Sequence, residues 1–219
     1  MANQSASCKD GIPAAKEAEF LQEGMHFIKE ISKRLLLKQA TIATAQYYFH
    51  KVAFALSFRL FDRLIMASVT CFLSAKTNEQ IIRIIEIARS HLNVIKIRNE
   101  KPGSTPRIIT DEMIEKTVKT IALYEFNLLA ILDYNLIVPL PYAEIRTLLP
   151  AERPRNFFKV TTNFANDFFR SRACLKYTST EIAQASLYLS CEFFDMEPFV
   201  SVNFDVVNDM IEIYKFYTD

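Results

Sequence analysis

The chain has 219 residues, of which half are hydrophobic and 23% are charged, and its formal net charge is +1. A chain with 18 Phe and 9 Tyr has ample apolar surface to bury, which excludes intrinsic disorder. The balanced charge argues against direct nucleic-acid binding, because such domains usually carry a basic excess. A chain of this length forms one compact domain or two small ones. The presence of only 3 Gly and no Trp favours an all-α protein.

The spacing of apolar residues and of helix breakers predicts nine helices. They cover residues 16–36, 39–56, 62–76, 79–91, 111–132, 142–149, 155–172, 180–194 and 203–217. The third is apolar nearly all round, which places it in the middle of a bundle. Turn residues predict a loop over 93–110, with Asp111 as the N-cap of the helix that follows.

The two halves of the chain carry a weak internal repeat. Residues 67–75 align without gaps with residues 183–191, and at the same offset 41–56 falls on 157–172. Pro139 and Pro141 lie between the halves and mark a boundary. We therefore expect an N-terminal tail (1–15) and two tandem helical bundles, residues 16–138 and a shorter 139–219.

Residues for catalysis are hard to find. His26, His50 and His91 lie on separate predicted helices, and none has a metal-ligand spacing to another His or Cys. No phosphate-binding loop or nucleophile motif is present, so we expect neither an enzyme nor a bound cofactor or metal. The four cysteines are widely spaced and predict reduced thiols. The polar first residues predict no signal peptide, and no apolar run is long enough to predict a membrane span.

One carboxylate interrupts an apolar stripe. Within 111–132 the stripe runs through Ile121 and Leu128, and Glu125 occupies the position between them. A buried charge is costly unless it is paired. Lys76 similarly ends the apolar third helix. Two interpretations remain open: the two charges are solvated or paired with each other, or both await polar groups of a partner.

Both charges lie in segments that resemble the cyclin box. Residues 72–79 (FLSAKTNE) resemble the end of its third helix, where a Leu-Ala-Ala-like run precedes Lys-x-Glu-Glu. Residues 125–136 (EFNLLAILDYNL) resemble its fifth helix. Residues 39–51 (QATIATAQYYFHK), 84–93 (IIEIARSHLN) and 139–142 (PLPY) are similar to segments of the transcription-associated cyclins K, L and T.

The resemblance, which covers about residues 16–200, implies an all-α protein of two tandem cyclin-box bundles. It implies a regulatory subunit that activates a cyclin-dependent kinase by packing on the αC helix of that kinase. A transcription-linked kinase that phosphorylates the RNA polymerase II C-terminal repeat is expected, with nuclear location and possible contact with the transcription machinery. The residues expected to face the kinase are Lys76, Thr77, Glu79, Ile82, Glu125, Leu129, Leu132, Tyr134 and Leu136.

Two departures from the family pattern are visible in the first bundle. Asn78 replaces the first Glu of Lys-x-Glu-Glu, and Gly24 interrupts the substrate-docking patch of cell-cycle cyclins, which also needs a Trp. Glu192 occupies the repeat position of Lys76, which predicts that only the first bundle binds αC. Two alternatives are a cyclin-fold transcription factor that binds DNA, supported by Lys96, Arg98, Lys101 and Arg107, and a helical scaffold without a kinase.

Overall fold

Ten α-helices make up the regular structure of residues 4–100 and 108–215, the part of the chain that this computed structural model describes. They are α1 (Ala6–Lys9), α2 (Ala14–Leu35), α3 (Gln39–Ala55), α4 (Arg63–Thr77), α5 (Ile84–Asn99), α6 (Asp111–Ile131), α7 (Tyr142–Leu148), α8 (Phe157–Phe168), α9 (Ser179–Phe193) and α10 (Phe204–Lys215). A short 3-10 helix, Arg172–Leu175, follows α8. The predicted all-α fold is confirmed.

The chain divides into two compact units, Met1–Leu136 and Ile137–Asp219. Their assignment as the two boxes 16–138 and 139–219 stays a prediction. Within the predicted N-terminal tail, α1 packs against α2 and α3. Ser5 caps α1 and also donates a 2.8 Å hydrogen bond to the buried Glu17 carboxylate.

The first unit is built around α4. All of Met66–Ala75 is buried, and α4 packs against α2, α3, α5 and α6. Its small polar residues satisfy themselves within the helix, as when Ser74 donates to the Cys71 carbonyl at 3.0 Å. This is the central position that the apolar pattern predicts. In the second unit, α9 packs against α7, α8 and α10.

The fourth helix differs from the prediction at both ends. The run of isoleucines suggests a start at Glu79, but the chain at Glu79 has a φ of 53° and ends α4. The Gln80 side chain then bonds to the α2–α3 connection, accepting from the Lys38 N–H at 3.0 Å and donating to the Leu36 carbonyl at 3.2 Å. These bonds hold residues 79–83 outside the helix.

The predicted loop at 93–110 is wrong in its first part, because α5 continues to Asn99. Arg98 from this last turn pairs with Glu30 of α2 at 2.7 Å. The N-cap of α6 is Thr110 rather than Asp111, and its hydroxyl accepts from the Met113 N–H at 3.3 Å. Residues 1–3 of the predicted tail, 101–107 of the predicted loop and 216–219 beyond α10 lie outside the described residues.

Candidate functional site

The ends of α4 and α6 bring together the two charges that the sequence singles out. Lys76 lies in the last turn of α4, and Glu125 lies between Ile121 and Leu128 on α6. The Lys76 Nζ atom is 2.7 Å from Glu125 Oε1 and 2.9 Å from Oε2. The interpretation in which the two charges pair with each other therefore holds for this chain.

The pair is asymmetric in its exposure. The Glu125 side chain is 15% exposed, whereas the Lys76 side chain is 52% exposed. The Lys76 ammonium also lies 4.2 Å from the centroid of the Phe72 ring, a cation–π distance. Two contacts therefore fix the ammonium at the surface. One of its three N–H donors is left for a further acceptor.

A tyrosine from α3 joins the end of α4 to the segment after α6. The Tyr48 hydroxyl donates to the Leu136 carbonyl at 2.8 Å and lies 3.5 Å from Thr77 Oγ1. Burial raises the pKa of this phenol, while the Thr77 contact opposes the rise. Tyr48 therefore stays a neutral donor and holds the two segments of the site in register.

The turn after α6 directs an aromatic ring outward. Asp133 and Tyr134 both have positive φ, 51° and 55°, and the Tyr134 N–H donates to the Leu129 carbonyl at 3.0 Å. Residues other than Gly pay a steric cost in this left-handed region. The turn leaves the Tyr134 side chain 65% exposed, two residues before the carbonyl that Tyr48 holds.

The predicted kinase-facing residues differ in their exposure to solvent. Lys76 and Glu79 are exposed, while Thr77, Ile82, Glu125, Leu129 and Leu136 are half-buried. Leu132 is a correction, because its side chain is only 2% exposed. It lies one turn after the fully buried Leu128 and therefore faces the core of the first unit.

Two exposed apolar side chains, each within a few residues of Lys76 or Glu125 in sequence, were missed by sequence analysis. Ile81 is 95% exposed between α4 and α5, and Phe126 is 66% exposed next to Glu125 on α6. Phe126 lies off the apolar stripe of α6, and a large apolar residue in that position is a signal that the sequence did contain. Ile81 carried no such signal, since the helix predicted there would have hidden it.

Both departures in the first unit have structural reasons. The Asn78 amide donates to the Ser74 carbonyl at 2.9 Å and to Thr44 Oγ1 at 3.1 Å, so it is committed within the unit. A Cβ at Gly24 would lie 2.2 Å from the buried Phe49 ring. Gly24 therefore permits the close packing of α2 against α3.

The histidines do not converge in the described part of the chain, where no group of three or more His, Cys, Asp or Glu side chains has metal-binding geometry. His91 is 3% exposed and lies 2.8 Å from Ser68 Oγ through Nδ1. The Ser68 hydroxyl proton goes to the Leu64 carbonyl, so Nδ1–H is the donor to Ser68. Burial lowers the His91 pKa to about 4, and the Asp62 carboxylate opposes this shift.

Two of the four cationic residues that support the DNA-binding alternative lie close to carboxylates of the first unit. Arg98 pairs with Glu30, and Lys96 lies 3.8 Å from Glu100. Lys101 and Arg107 lie outside the described residues. Within 4–100 and 108–215, no helix combines the length and the apolar character that crossing a bilayer requires.

Comparison with known proteins gives consistent relatives, although no family model matches the sequence. Cyclin-T1-2 of Oryza sativa is 30% identical over 194 residues, covering 86% of this chain and 30% of the relative. Cyclin-T1-5 of Arabidopsis thaliana is 28% identical over 229 residues, covering 96% and 39%. Cyclin pch1 of Schizosaccharomyces pombe is 28% identical over 191 residues, covering 85% and 54%.

The chain belongs to the cyclin family. The relatives that carry this assignment are transcription-associated cyclins of the T type and pch1, as the sequence resemblance predicts. This cyclin spans about a third to a half of the length of those relatives.

Solved structures confirm the cyclin-like fold. A chain in the yeast RNA Pol II CTD kinase CTDK-1 complex superposes with a TM-score of 0.77 at 17% identity, covering 94% of this cyclin and 67% of that chain. A chain of the yeast TFIIK (Kin28/Ccl1/Tfb3) complex gives a TM-score of 0.59 at 15% identity, covering 94% and 88%.

Proposed function

We propose that this cyclin is the regulatory subunit of a cyclin-dependent kinase and has no catalytic activity of its own. The observation that carries the proposal is the Lys76–Glu125 pair, together with the exposed Tyr134, Ile81 and Phe126 on the chain segments that follow its two residues. A polar anchor combined with exposed aromatic and aliphatic side chains is typical of a protein-binding hot spot. The remaining contact residues that we propose are Thr77, Glu79, Ile82, Leu129 and Leu136.

The proposed mechanism is positional. The first unit packs on the αC helix of the kinase and rotates it inward, which completes the kinase Lys–Glu ion pair that holds ATP phosphates. The activation segment is ordered at the same time. The cyclin contributes no reacting group, so its effect depends on how well its surface fits the active position of αC.

The ion pair suits this role because it is formed before binding. Glu125 uses one acceptor site on each carboxylate oxygen for Lys76, and each oxygen retains a lone pair for a partner N–H. The third N–H of Lys76 is directed to a backbone carbonyl of the partner. Pre-organised charges lose less side-chain entropy on binding than free ones.

We further propose a transcription-linked kinase that phosphorylates the RNA polymerase II C-terminal repeat, and hence a nuclear location. The support is the similarity to T-type cyclins and to a chain of a complex described as an RNA Pol II CTD kinase. Glu192, at the repeat position of Lys76, would repel the groups that Lys76 attracts. The second unit is therefore proposed not to bind αC.

The test is recovery of a kinase from native nuclear extract with tagged wild type and with the Lys76→Ala/Glu125→Ala double variant. Kinase activity is then assayed on a heptad-repeat polymerase peptide. We expect wild type to recover a kinase active on that peptide, and the double variant to lose both recovery and activity. Phe193→Ala, an exposed apolar truncation in the second unit, is the matched control and is expected to behave as wild type.

Each alternative predicts a different result. A kinase-independent scaffold recovers no kinase with either protein. A DNA-binding transcription factor also recovers none, and instead retards promoter DNA in a manner that weakens with salt. Equal recovery of a kinase by wild type and the double variant would support a kinase partner but contradict binding through the Lys76–Glu125 surface.

A further inference from the structure

The second unit lacks a counterpart of α5 among its described residues. In the first unit α6 packs on α4 and α3, while α5 lies against α2, α4 and α6. In the second unit α10 packs on α9 and α8, the repeat partners of α4 and α3, so α10 corresponds to α6. After α9 the chain runs through residues 194–203 directly into α10. No helix in residues 137–215 takes the place that α5 has in the first unit.

A position of α4 that lies under α5 is partly exposed at its counterpart on α9. Ser68 of α4 is fully buried under His91 of α5. Its repeat partner, 116 positions later, is Gln184, which is half-exposed. Tyr188 and Glu192 follow Gln184 at intervals of four residues, so the three share one stripe of α9, and Glu192 is exposed.

The repeat is supported by backbone geometry as well as by sequence. The residue that ends α4 in the left-handed region is Glu79, and its counterpart 116 positions later is Asp195, with φ values of 53° and 52°. An equivalent backbone hydrogen bond lies at the C-terminal end of each helix. In α4 it runs from the Gln80 N–H to the Ala75 carbonyl at 2.8 Å, and in α9 from the Met196 N–H to the Cys191 carbonyl at 2.9 Å. The alignment of α4 with α9 is therefore in register.

The connection after α9 covers part of the hydrophobic core of the second unit. Met196 and Val200 pack against the buried cluster of Phe157, Leu187 and Cys191. These two side chains cover the apolar residues near the C-terminal end of α9. The stripe of Gln184, Tyr188 and Glu192 remains at the surface.

The chemistry of this stripe is aromatic and acidic. Tyr188 packs edge-on against Phe204 with a centroid distance of 5.5 Å, and Phe204 is 58% exposed. Desolvation, together with the neighbouring Glu192 carboxylate, raises the pKa of the Tyr188 phenol. No Lys, Arg or His occurs from residue 177 to residue 214, a stretch that holds seven carboxylates: Glu181, Glu192, Asp195, Glu197, Asp205, Asp209 and Glu212.

We propose that Gln184, Tyr188, Glu192 and Phe204, here called the α9 face, bind a basic amphipathic helix of a partner protein along α9, starting where Gln184 takes the place of the α5-covered Ser68. An Arg guanidinium can stack on Tyr188 or Phe204 while it pairs with Glu192 or the exposed Asp205. The apolar side of the same helix covers the aromatic pair. This site consists of residues of the second unit only and goes beyond the proposed kinase activation.

The test uses two synthetic peptides of the length of α5, 16 residues. Both carry Leu at helical spacing, and one carries Arg and the other Glu at all remaining positions. Binding to the full chain is measured by fluorescence anisotropy at physiological salt. We expect the Arg peptide to bind at least about tenfold more tightly than the Glu peptide.

Two charge reversals separate a local site from general attraction. Glu192→Lys is expected to weaken binding of the Arg peptide at least about tenfold, and Tyr188→Ala by a similar factor. Glu152→Lys changes the net charge equally at another exposed position of the second unit, and binding should stay within about twofold. Far-ultraviolet circular dichroism checks that all three variants keep their helices.

Three results would overturn the proposal. The first is equal weakening by Glu192→Lys and Glu152→Lys, which would mean long-range attraction only. The second is the absence of any preference for the Arg peptide. The third is concentration-dependent dimerisation of wild type in sedimentation that Glu192→Lys abolishes, which would identify a second copy of this chain as the occupant.

Discussion

The C-terminal ends of α4 and α9 have the same backbone and opposite surface chemistry. Both helices close with a left-handed acidic residue, Glu79 or Asp195, and with the same backbone hydrogen bond. One turn earlier, however, α4 presents Lys76 paired to Glu125, whereas α9 presents the exposed Glu192. The comparison teaches that the repeated fold fixes where a side chain lies, while the residue at that place decides which partner it can meet.

Reversing one charge in each unit breaks this comparison most strongly. Lys76→Glu places a second carboxylate beside the 15% exposed Glu125 and should weaken kinase binding about 100-fold or more. Glu192→Lys, at the repeat position, should leave kinase binding within about twofold. The measurement is surface plasmon resonance with the recovered kinase. Similar losses from both variants would contradict the assignment of αC binding to the first unit.

Acid sensitivity should belong to the first unit, because only that unit has α5 and its buried His91. The folded-state pKa of His91, about 4, lies below the ordinary value of 6.5, so the unfolded chain binds the proton more readily. The contribution of neutral His91 to stability is present above pH 6.5. It is lost as pH falls from 6.5 to about 4 and amounts to about 3 kcal/mol.

The measurement is urea unfolding at several pH values with His91→Asn, whose amide can still donate to Ser68. This variant should be less stable at pH 7 and show a shallower loss of stability between pH 6.5 and 4. His26→Asn is the control, since the His26 side chain is 67% exposed. An unchanged acid slope in His91→Asn would count against a buried neutral histidine.

Packing at Gly24 should be the next most sensitive feature of the first unit. Gly24→Ala puts a Cβ about one atomic radius too close to the buried Phe49 ring, and we expect a loss of about 2 kcal/mol in the free energy of unfolding. The exposed neighbour provides the control, because Gln22→Ala adds helix propensity without a clash. Equal or greater stability of Gly24→Ala would mean that α2 and α3 can separate freely.

The smallest effect should be shared by the two units. Glu79→Gly and Asp195→Gly each remove the steric cost of a left-handed residue, and each should raise the free energy of unfolding by about 1 kcal/mol. Chemical denaturation of the single variants and of the pair measures this gain. A gain at one position and a loss at the other would weaken the alignment of α4 with α9.

The fold was largely predictable because its signals are local. Helical spacing located nine of the helices, and the nearly all-round apolar pattern of 62–76 correctly indicated the central α4. The start of α5 was not predictable, since Gln80 reaches back more than forty residues to Lys38 and Leu36. Nor was α1 predictable, since it has no apolar pattern and is linked to α2 by the hydrogen bond between Ser5 and Glu17.

The candidate site was predictable in its charges and less so in its apolar rim. The interruption of the α6 stripe identified Glu125, and its partner Lys76 could be named as an alternative. Leu132 was misplaced because the helix continues the core-facing register of Leu128 through its C-cap. Tyr48 escaped notice, since its role depends on the carbonyl of Leu136, 88 residues away in sequence.

A charge swap tests the central claim most directly. Lys76→Glu/Glu125→Lys keeps an ion pair between α4 and α6 but exchanges the donor and acceptor that a kinase would meet. We predict that each single variant and the swapped pair all bind the kinase at least about 100-fold more weakly than wild type, while the swapped pair unfolds within about 1 kcal/mol of wild type. Recovery of wild-type kinase affinity by the swapped pair would show that the ion pair only holds the first unit together, and would contradict its role as a contact with αC.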